Sequence, residues 1–149
     1  KPFDEVAFAR ALHKLGGDAD WTVIPDIVSG GPASLSLSLR WIQAVLNECP
    51  RALLAVQDGM TTGEIEPFLG TRVGIFVGGS TAFKEHTLPQ WGALARRTAC
   101  WCHVGRVNTI RRIHLCGFAG VTSFDGSSAS RYAVTLRKLE NANRQLAFF

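Results

Sequence analysis

RALLAVQDGMTTGEIEPFLGTRVGIFVGGS, residues 51–80, is the stretch on which the fold turns. It opens with an apolar run from Arg51 to Gln57. It then passes through a segment from Thr62 to Leu69 that reads as a short helix with Thr62 as its cap, and it closes with a second apolar run from Arg72 to Gly79. Continuous apolar runs, unlike alternating ones, belong to strands covered on both faces, as in parallel sheets flanked by crossover helices. The unit is strand, helix, strand.

The same rhythm extends in both directions. Upstream, residues 3–15 place Phe3, Val6, Ala7, Ala11, Leu12 and Leu15 at helical spacing before a Gly16-Gly17 stop. WTVIPDIV, residues 21–28, reads as a strand, and Ser34 to Leu46 as a helix whose Leu35, Leu39, Ile42 and Leu46 form one stripe. Downstream, Leu88 to Thr98 reads as part of a helix, CWCHVGRV (100–107) as a strand, and Asn108 to Cys116 as a helix capped by Asn108. GVTSF (120–124) follows as a strand, and Ser130 to Leu146 as a last helix.

Five strands alternating with helices define an α/β fold. A doubly wound sheet and a (β/α) barrel both fit the alternation. No Gly-x-Gly-x-x-Gly turn joins the first strand to its helix and no switch point is visible, which favours a TIM-type barrel. A complete barrel needs eight strands and about 250 residues. The chain has 149 and starts in a helix at Lys1-Pro2-Phe3 without an initiator methionine. The expectation is one α/β domain, residues 1–149, forming the C-terminal five β/α units, with three strands upstream. An open sheet edge would then be completed by another segment or chain.

Composition bounds the rest. The chain is 46% hydrophobic and 19% charged, as in globular proteins. No apolar run approaches the roughly 18 to 20 residues that span a bilayer, and KPFDEVAFARALHKL lacks a secretory apolar segment. No membrane partner and a cytoplasmic location are expected. Cys49, Cys100, Cys102 and Cys116 sit in apolar stretches, as buried reduced thiols do. Cys100-x-Cys102-His103 is a weak metal signal, since adjacent strand residues point to opposite faces and no second ligand pair follows at zinc spacing; neither metal nor cofactor is expected. Net charge is +4, and Arg96, Arg97, Arg106, Arg111, Arg112, Arg131, Arg137 and Arg144 gather towards the C-terminal third. That asymmetry suits a polyanionic partner, and a solvated basic face explains it equally well.

In α/β folds, chemistry collects at the carboxyl ends of strands. The first strand delivers Asp26 there, the second Gln57 and Asp58, the third Gly78-Gly79, the fourth His103, Gly105 and Arg106, and the last Asp125. Each alone has an ordinary turn explanation. Together, two carboxylates, an amide, a side-chain-free backbone patch and a basic residue on one rim suit a flat polar heterocycle. One carboxylate can then attack an electrophilic carbon.

The succession VIPDIV, LLAVQDG, GIFVGGS and CWCHVGRVNTIRRIHLCGFAGVTSFDGSSASR resembles the second part of the tRNA-guanine transglycosylase family. It is closer to the family's phage relatives, which insert 7-deazaguanines into DNA. The matching positions are Asp26, Gln57, Gly78 with Gly79, Gly105, and Phe124-Asp125 with Arg131 six residues on; SLSLRW (36–41) also echoes the helix after the first of these strands. The likeness runs from about Trp21 to Arg131 and lies in order and spacing.

The resemblance implies base exchange in DNA or tRNA, with a free 7-deazaguanine as incoming base. Asp125 would be the nucleophile that holds the sugar covalently, and Asp26 would accept hydrogen bonds from the base's N–H groups. Gln57 would address its carbonyl edge, and the Gly78-Gly79 backbone would complete the pocket. Arg131 would hold a phosphate or orient Asp125, while Arg106, Arg111 and Arg112 would track the polynucleotide backbone. The family's general-base Asp-Ser-Gly-Gly-Phe motif has no counterpart here, which assigns it upstream. No Cys follows Cys116, so the family's zinc site is absent, which tilts the substrate towards DNA. His103 stands outside the family pattern; it would contact phosphate or sugar, or satisfy a strand-end carbonyl. Two other readings fit the same residues: a barrel enzyme on a small phosphosugar or nucleoside, and a non-catalytic nucleic-acid-binding fragment.

Overall fold

The structure, a computed structural model, describes residues 3–127 and Asn141. Helices and parallel strands alternate through it: α1 (Glu5–Leu15), β1 (Thr22–Val23), α2 (Pro32–Glu48), β2 (Ala52–Val56), α3 (Thr62–Ile65), β3 (Val73–Val77), α4 (Thr81–Thr98), β4 (Cys102–Val104), α5 (Ile110–Ala119) and β5 (Ser123–Phe124). The sheet order is the chain order, β1-β2-β3-β4-β5, and every neighbouring pair is parallel.

The two faces of the sheet have different company. Ala52, Leu54 and Val56 of β2, Ile75 and Val77 of β3, and Cys102 and Val104 of β4 belong to one buried cluster with Val45 of α2, Leu88, Trp91 and Leu94 of α4, and Ile113 and Cys116 of α5. Each large aliphatic side chain buried in this way is worth about 1.5–3 kcal/mol of transfer free energy. The alternate residues, Leu53 and Ala55, Phe76, Trp101 and His103, and Ser123, point the other way.

On that second face the rings of Trp21, beside β1, and His103, on β4, lie 4.6 Å apart between centroids. In a flat sheet, positions three strands apart would be separated by about 14 Å. The sheet is therefore curled into a half-barrel, with the helices outside and the aromatic residues in its concavity.

Local chemistry moves several boundaries from where periodicity puts them. The expected strand 21–28 pairs only over Thr22–Val23; Ile24 N still donates to Leu53 O, and Pro25, whose missing N–H would face away from β2, follows as prolines do on an edge strand. Thr61, not Thr62, caps α3, through a reciprocal capping box with Glu64. Thr109, not Asn108, caps α5 by accepting from Arg112 N, and α5 runs on to Ala119 before the left-handed Gly120. Gly120 is thus a helix stop, so β5 shrinks to two residues.

The segment Leu88 to Thr98 is part of a helix as expected, and the whole of it, α4, reaches upstream to Thr81 behind a Ser80 cap. Pro89 sits inside it. The proline removes one helical hydrogen bond, yet Leu88, Trp91, Leu94 and Ala95 bury a continuous stripe that holds the helix together. The expected last helix, Ser130 to Leu146, lies outside the described residues. No helix among the described residues is long and apolar enough to cross a membrane.

Helices α4 and α5 approach closely where Gly92 faces the Ala119 carbonyl, which a Cβ at Gly92 would strike. Gly92→Ala is expected to lose ~1–3 kcal/mol despite the better helix propensity of alanine. Gly63→Ala, in open space on α3, is expected to gain ~0.5–1 kcal/mol. Urea midpoints at unchanged slope measure both; equal signs for the two variants would contradict the close helix contact.

Candidate active site

Parallel strands in chain order bring all five carboxyl ends to one rim, and the curl closes that rim around a cavity of about 600 Å³. Its lining includes Asp26, Gln57, Gly78, Gly79, Gly105, Arg106 and Asp125. Seven positions singled out from sequence therefore share one concavity.

Asp125 is fixed through both backbone and side chain. Its N–H donates to Val104 O at 3.1 Å, and its C=O accepts from Val107 N at 2.6 Å. One carboxylate oxygen accepts from the Arg106 backbone N–H at 2.9 Å, and the other lies 3.1 Å from His103 Nε2. Arg106 adopts φ 59°, a left-handed conformation that costs a non-glycine residue of order 1 kcal/mol and turns its N–H towards the carboxylate.

His103 is itself held from below. Trp101 Nε1–H, which can only donate, reaches Ser123 Oγ at 3.0 Å, and that oxygen lies 2.8 Å from His103 Nδ1. With the tryptophan N–H accepted, the single Ser123 O–H is free for Nδ1. On the other side of the ring the Asp125 carboxylate can only accept, so Nε2 carries a proton directed at it. Phe76 stacks on the imidazole at 5.4 Å and 18°. The ring is only 4% exposed and is absent from the cavity lining, so the structure places His103 beneath Asp125 and not on the wall facing a ligand.

The two cavity carboxylates are pushed in opposite directions. Burial alone would raise Asp125. The Arg106 N–H, the hydrogen bond and charge of His103, and the Lys84 ammonium outweigh it and hold the carboxyl below its ordinary value. Asp26 is raised by burial, only partly offset by a backbone hydrogen bond.

Gln57 is 3% exposed, and its amide nitrogen donates to Ile27 O at 2.9 Å and, longer, to an Asp26 oxygen at 3.4 Å. Because the Ile27 carbonyl can only accept, Nε2 must face it. The group expected to donate to a carbonyl edge is thus committed within the protein, and Oε1 is what Gln57 has to offer a ligand. Gly79 has φ +71°, and a Cβ there would meet the Asp58 carboxylate, which binds Ser80 N and Oγ at 2.7 and 2.6 Å. Gly105 lies where a Cβ would press on the Phe76 ring.

Arg112 and Arg111 are not in the cavity lining; both pair with Glu85 of α4, at 3.1 and 3.6 Å. Arg131 lies outside the described residues. Cys49, Cys100, Cys102 and Cys116 are buried and free, and burial pushes the Cys102 and Cys116 thiols up to about 12. Among the described residues no three His, Cys, Asp or Glu side chains cluster as a metal site would require.

Sequence reasoning missed Lys84, which lines the cavity, and the Trp101–Ser123 support under His103. Ser80 as a cap would have found Lys84, four residues into the helix and so turned back over its first turn. Compared with protein-family models, with curated proteins and with solved structures, the chain matches nothing.

Carboxyl-carbon NMR titration should find Asp125 below and Asp26 above the ordinary 3.8. A native pKa below the unfolded one means that Asp125 stabilises the fold fully above about 3.8, and that this contribution is lost as pH falls through the native value. His103→Phe, which keeps the ring stack but removes Nε2–H, should move Asp125 upward. An unmoved midpoint would mean that the imidazole does not hold the carboxylate.

Proposed function

We propose that this chain is part of a base-exchange enzyme, a transglycosylase that replaces guanine with a 7-deazaguanine in nucleic acid, in DNA in preference to tRNA. The observation that carries the reading is the state of Asp125: an accessible carboxylate, 55% exposed at its side chain, held ionised and oriented at the mouth of a cavity. A TIM-type barrel, whose described part is the curled five-stranded sheet, is the architecture this reading assumes; the sequential strand order without a switch point supports it.

An ionised carboxylate with one hydrogen bond per oxygen keeps lone pairs for attack. As Asp125 bonds to the anomeric carbon, the bond from that carbon to the guanine nitrogen breaks. Its electron pair leaves with the base, which takes up a proton. The sugar is then an ester of Asp125. A nitrogen of the incoming 7-deazaguanine attacks the same carbon, loses its proton and expels the carboxylate, so the polynucleotide is never cut. The low pKa of Asp125 also makes it a competent leaving group in the second half.

Asp26 supports the other half of the reading. A carboxylate whose ionised form is disfavoured by burial is restored by a ligand edge that donates N–H groups to it, as guanine and its 7-deaza analogues do. Gln57 Oε1 adds an acceptor, and Gly78 and Gly79 leave the ring space to approach the backbone.

The full-length protein incubated with guanine-labelled DNA, and with labelled tRNA in parallel, plus a 7-deazaguanine, should release guanine and form a denaturant-stable adduct. Asp125→Asn should form none and should slow release by at least roughly 10³-fold. Base binding should weaken as pH falls through the raised Asp26 value and lose that dependence in Asp26→Asn. No release from either polymer, with salt-dependent binding unchanged in Asp125→Asn, would replace this reading by a binding module. Turnover of a small phosphosugar alone would replace it by a metabolic barrel enzyme.

A further inference from the structure

Lys84 is charged, nearly buried and unexplained by the roles above. It is 5% exposed on the first turn of α4, and it lines the 600 Å³ cavity. Among the described residues its ammonium reaches one acceptor, Gly105 O at 2.8 Å. An ammonium has three N–H donors, and a buried cation with donors unused is costly. Arg106, on the same wall, likewise has no ion-pair partner for its guanidinium among the described residues, whereas Arg97 pairs with Glu66, and Arg111 and Arg112 share Glu85.

We infer that Lys84 and Arg106 form an anion subsite on the cavity wall beside Asp125, fitted to the phosphate attached to the sugar that Asp125 engages. The inference deepens the base-exchange reading and rests on it for the identity of that sugar.

Charge balance points to the ligand. Asp26 and Asp58 also line the cavity, but Asp125 is the carboxylate that bears on the Lys84 ammonium, against the like charges of Arg106 and Arg112, so the wall around Lys84 carries a local surplus of positive charge that suits an anionic phosphodiester. Burial first, then the like charges of Arg106 and Arg112, pull the Lys84 pKa down, while Asp125 opposes them. An incoming anion relieves each of these penalties. A guanidinium fork and an ammonium on one wall also match an anion with several acceptor oxygens better than a single carbonyl. The cavity is of the size that takes a nucleotide-scale ligand.

The experiment uses the full chain, labelled with ¹³C at lysine Cε, and four probes: deoxyguanosine, its 5′- and 3′-monophosphates, and inorganic phosphate. Calorimetry gives affinities, and the Lys84 Cε resonance reports occupancy without any substitution. The expected result is that a monophosphate binds at least roughly tenfold more tightly than the nucleoside, as a charge-assisted contact gives. That advantage should shrink with salt, move the Lys84 resonance, and disappear in Lys84→Met and in Arg106→Gln, which keeps the backbone N–H to Asp125. Equal affinity for nucleoside and monophosphates, or a Lys84 resonance unmoved at saturation, overturns the subsite while leaving base recognition standing. Inorganic phosphate shifting Lys84, with no guanine compound bound, upholds the subsite and removes the base-exchange reading.

Discussion

In-step parallel pairing, in chain order, is the constraint on which everything else depends. β2 and β3 pair residue for residue from Ala52 with Val73 to Val56 with Val77, and β4 and β5 continue the same direction. Each crossover must then return along a helix on one side, so every carboxyl end arrives at the same rim. Had a single strand run backwards or out of order, Asp26, Gln57, Gly79 and Asp125 would not share a cavity. The curl adds the second condition: it turns one face of the sheet inward, and with it the alternate residues that carry aromatic and polar groups.

That alternation explains why a buried sheet supports chemistry at one end. The outward residues of β2 to β4 are aliphatic or thiol and make the core with the helices. The inward set passes from Leu53 and Trp101 through Phe76 and His103 to Ser123, and then to Gly105 and Asp125 at the rim. Polarity thus rises along the strands. Tryptophan, serine, imidazole and carboxylate form one hydrogen-bonded line from the interior to the cavity. Such a line fixes the imidazole through Nδ1 and so orients the group that Nε2 presents to Asp125.

What the sequence made legible follows from the same physics. Apolar runs mark strands buried on both faces, and the first polar residue after each run marks its carboxyl end, so Asp26, Gln57, Gly78, Gly79, Gly105, Arg106 and Asp125 could be read without coordinates. Contacts between strands could not. Trp101, Ser123 and His103 meet only through the β4–β5 register, which no local spacing encodes. Lys84 was hidden because only Leu88 to Thr98 was read as helix, whereas α4 begins at Thr81 and its buried stripe carries it through Pro89. Arg111 and Arg112 read as a basic patch because Glu85, which pairs with both, lay in that same unread part of α4. In each case a tertiary contact outweighed the local signal.

Departures from ordinary folding rules converge on the same rim. Arg106 takes a left-handed backbone without being glycine, Lys84 is an ammonium in a nearly buried position, His103 is a buried imidazole, and Asp26 is a carboxylate raised by its burial. Each is unfavourable by itself, and a sheet selected for stability alone would replace them with aliphatic residues. Each also acts on the same small volume: Arg106 and His103 hold the two oxygens of Asp125, Lys84 supplies charge beside it, and Asp26 lines the same cavity. Elsewhere along the described strands, β2 is fully buried and the Cys102 thiol is inert, with nothing strained. Away from the cavity, Ala99 is the other left-handed non-glycine residue among the described ones, and it is an ordinary helix stop at the end of α4; the unfavourable features of the rim have no such local explanation, and a bound ligand is what would offset them.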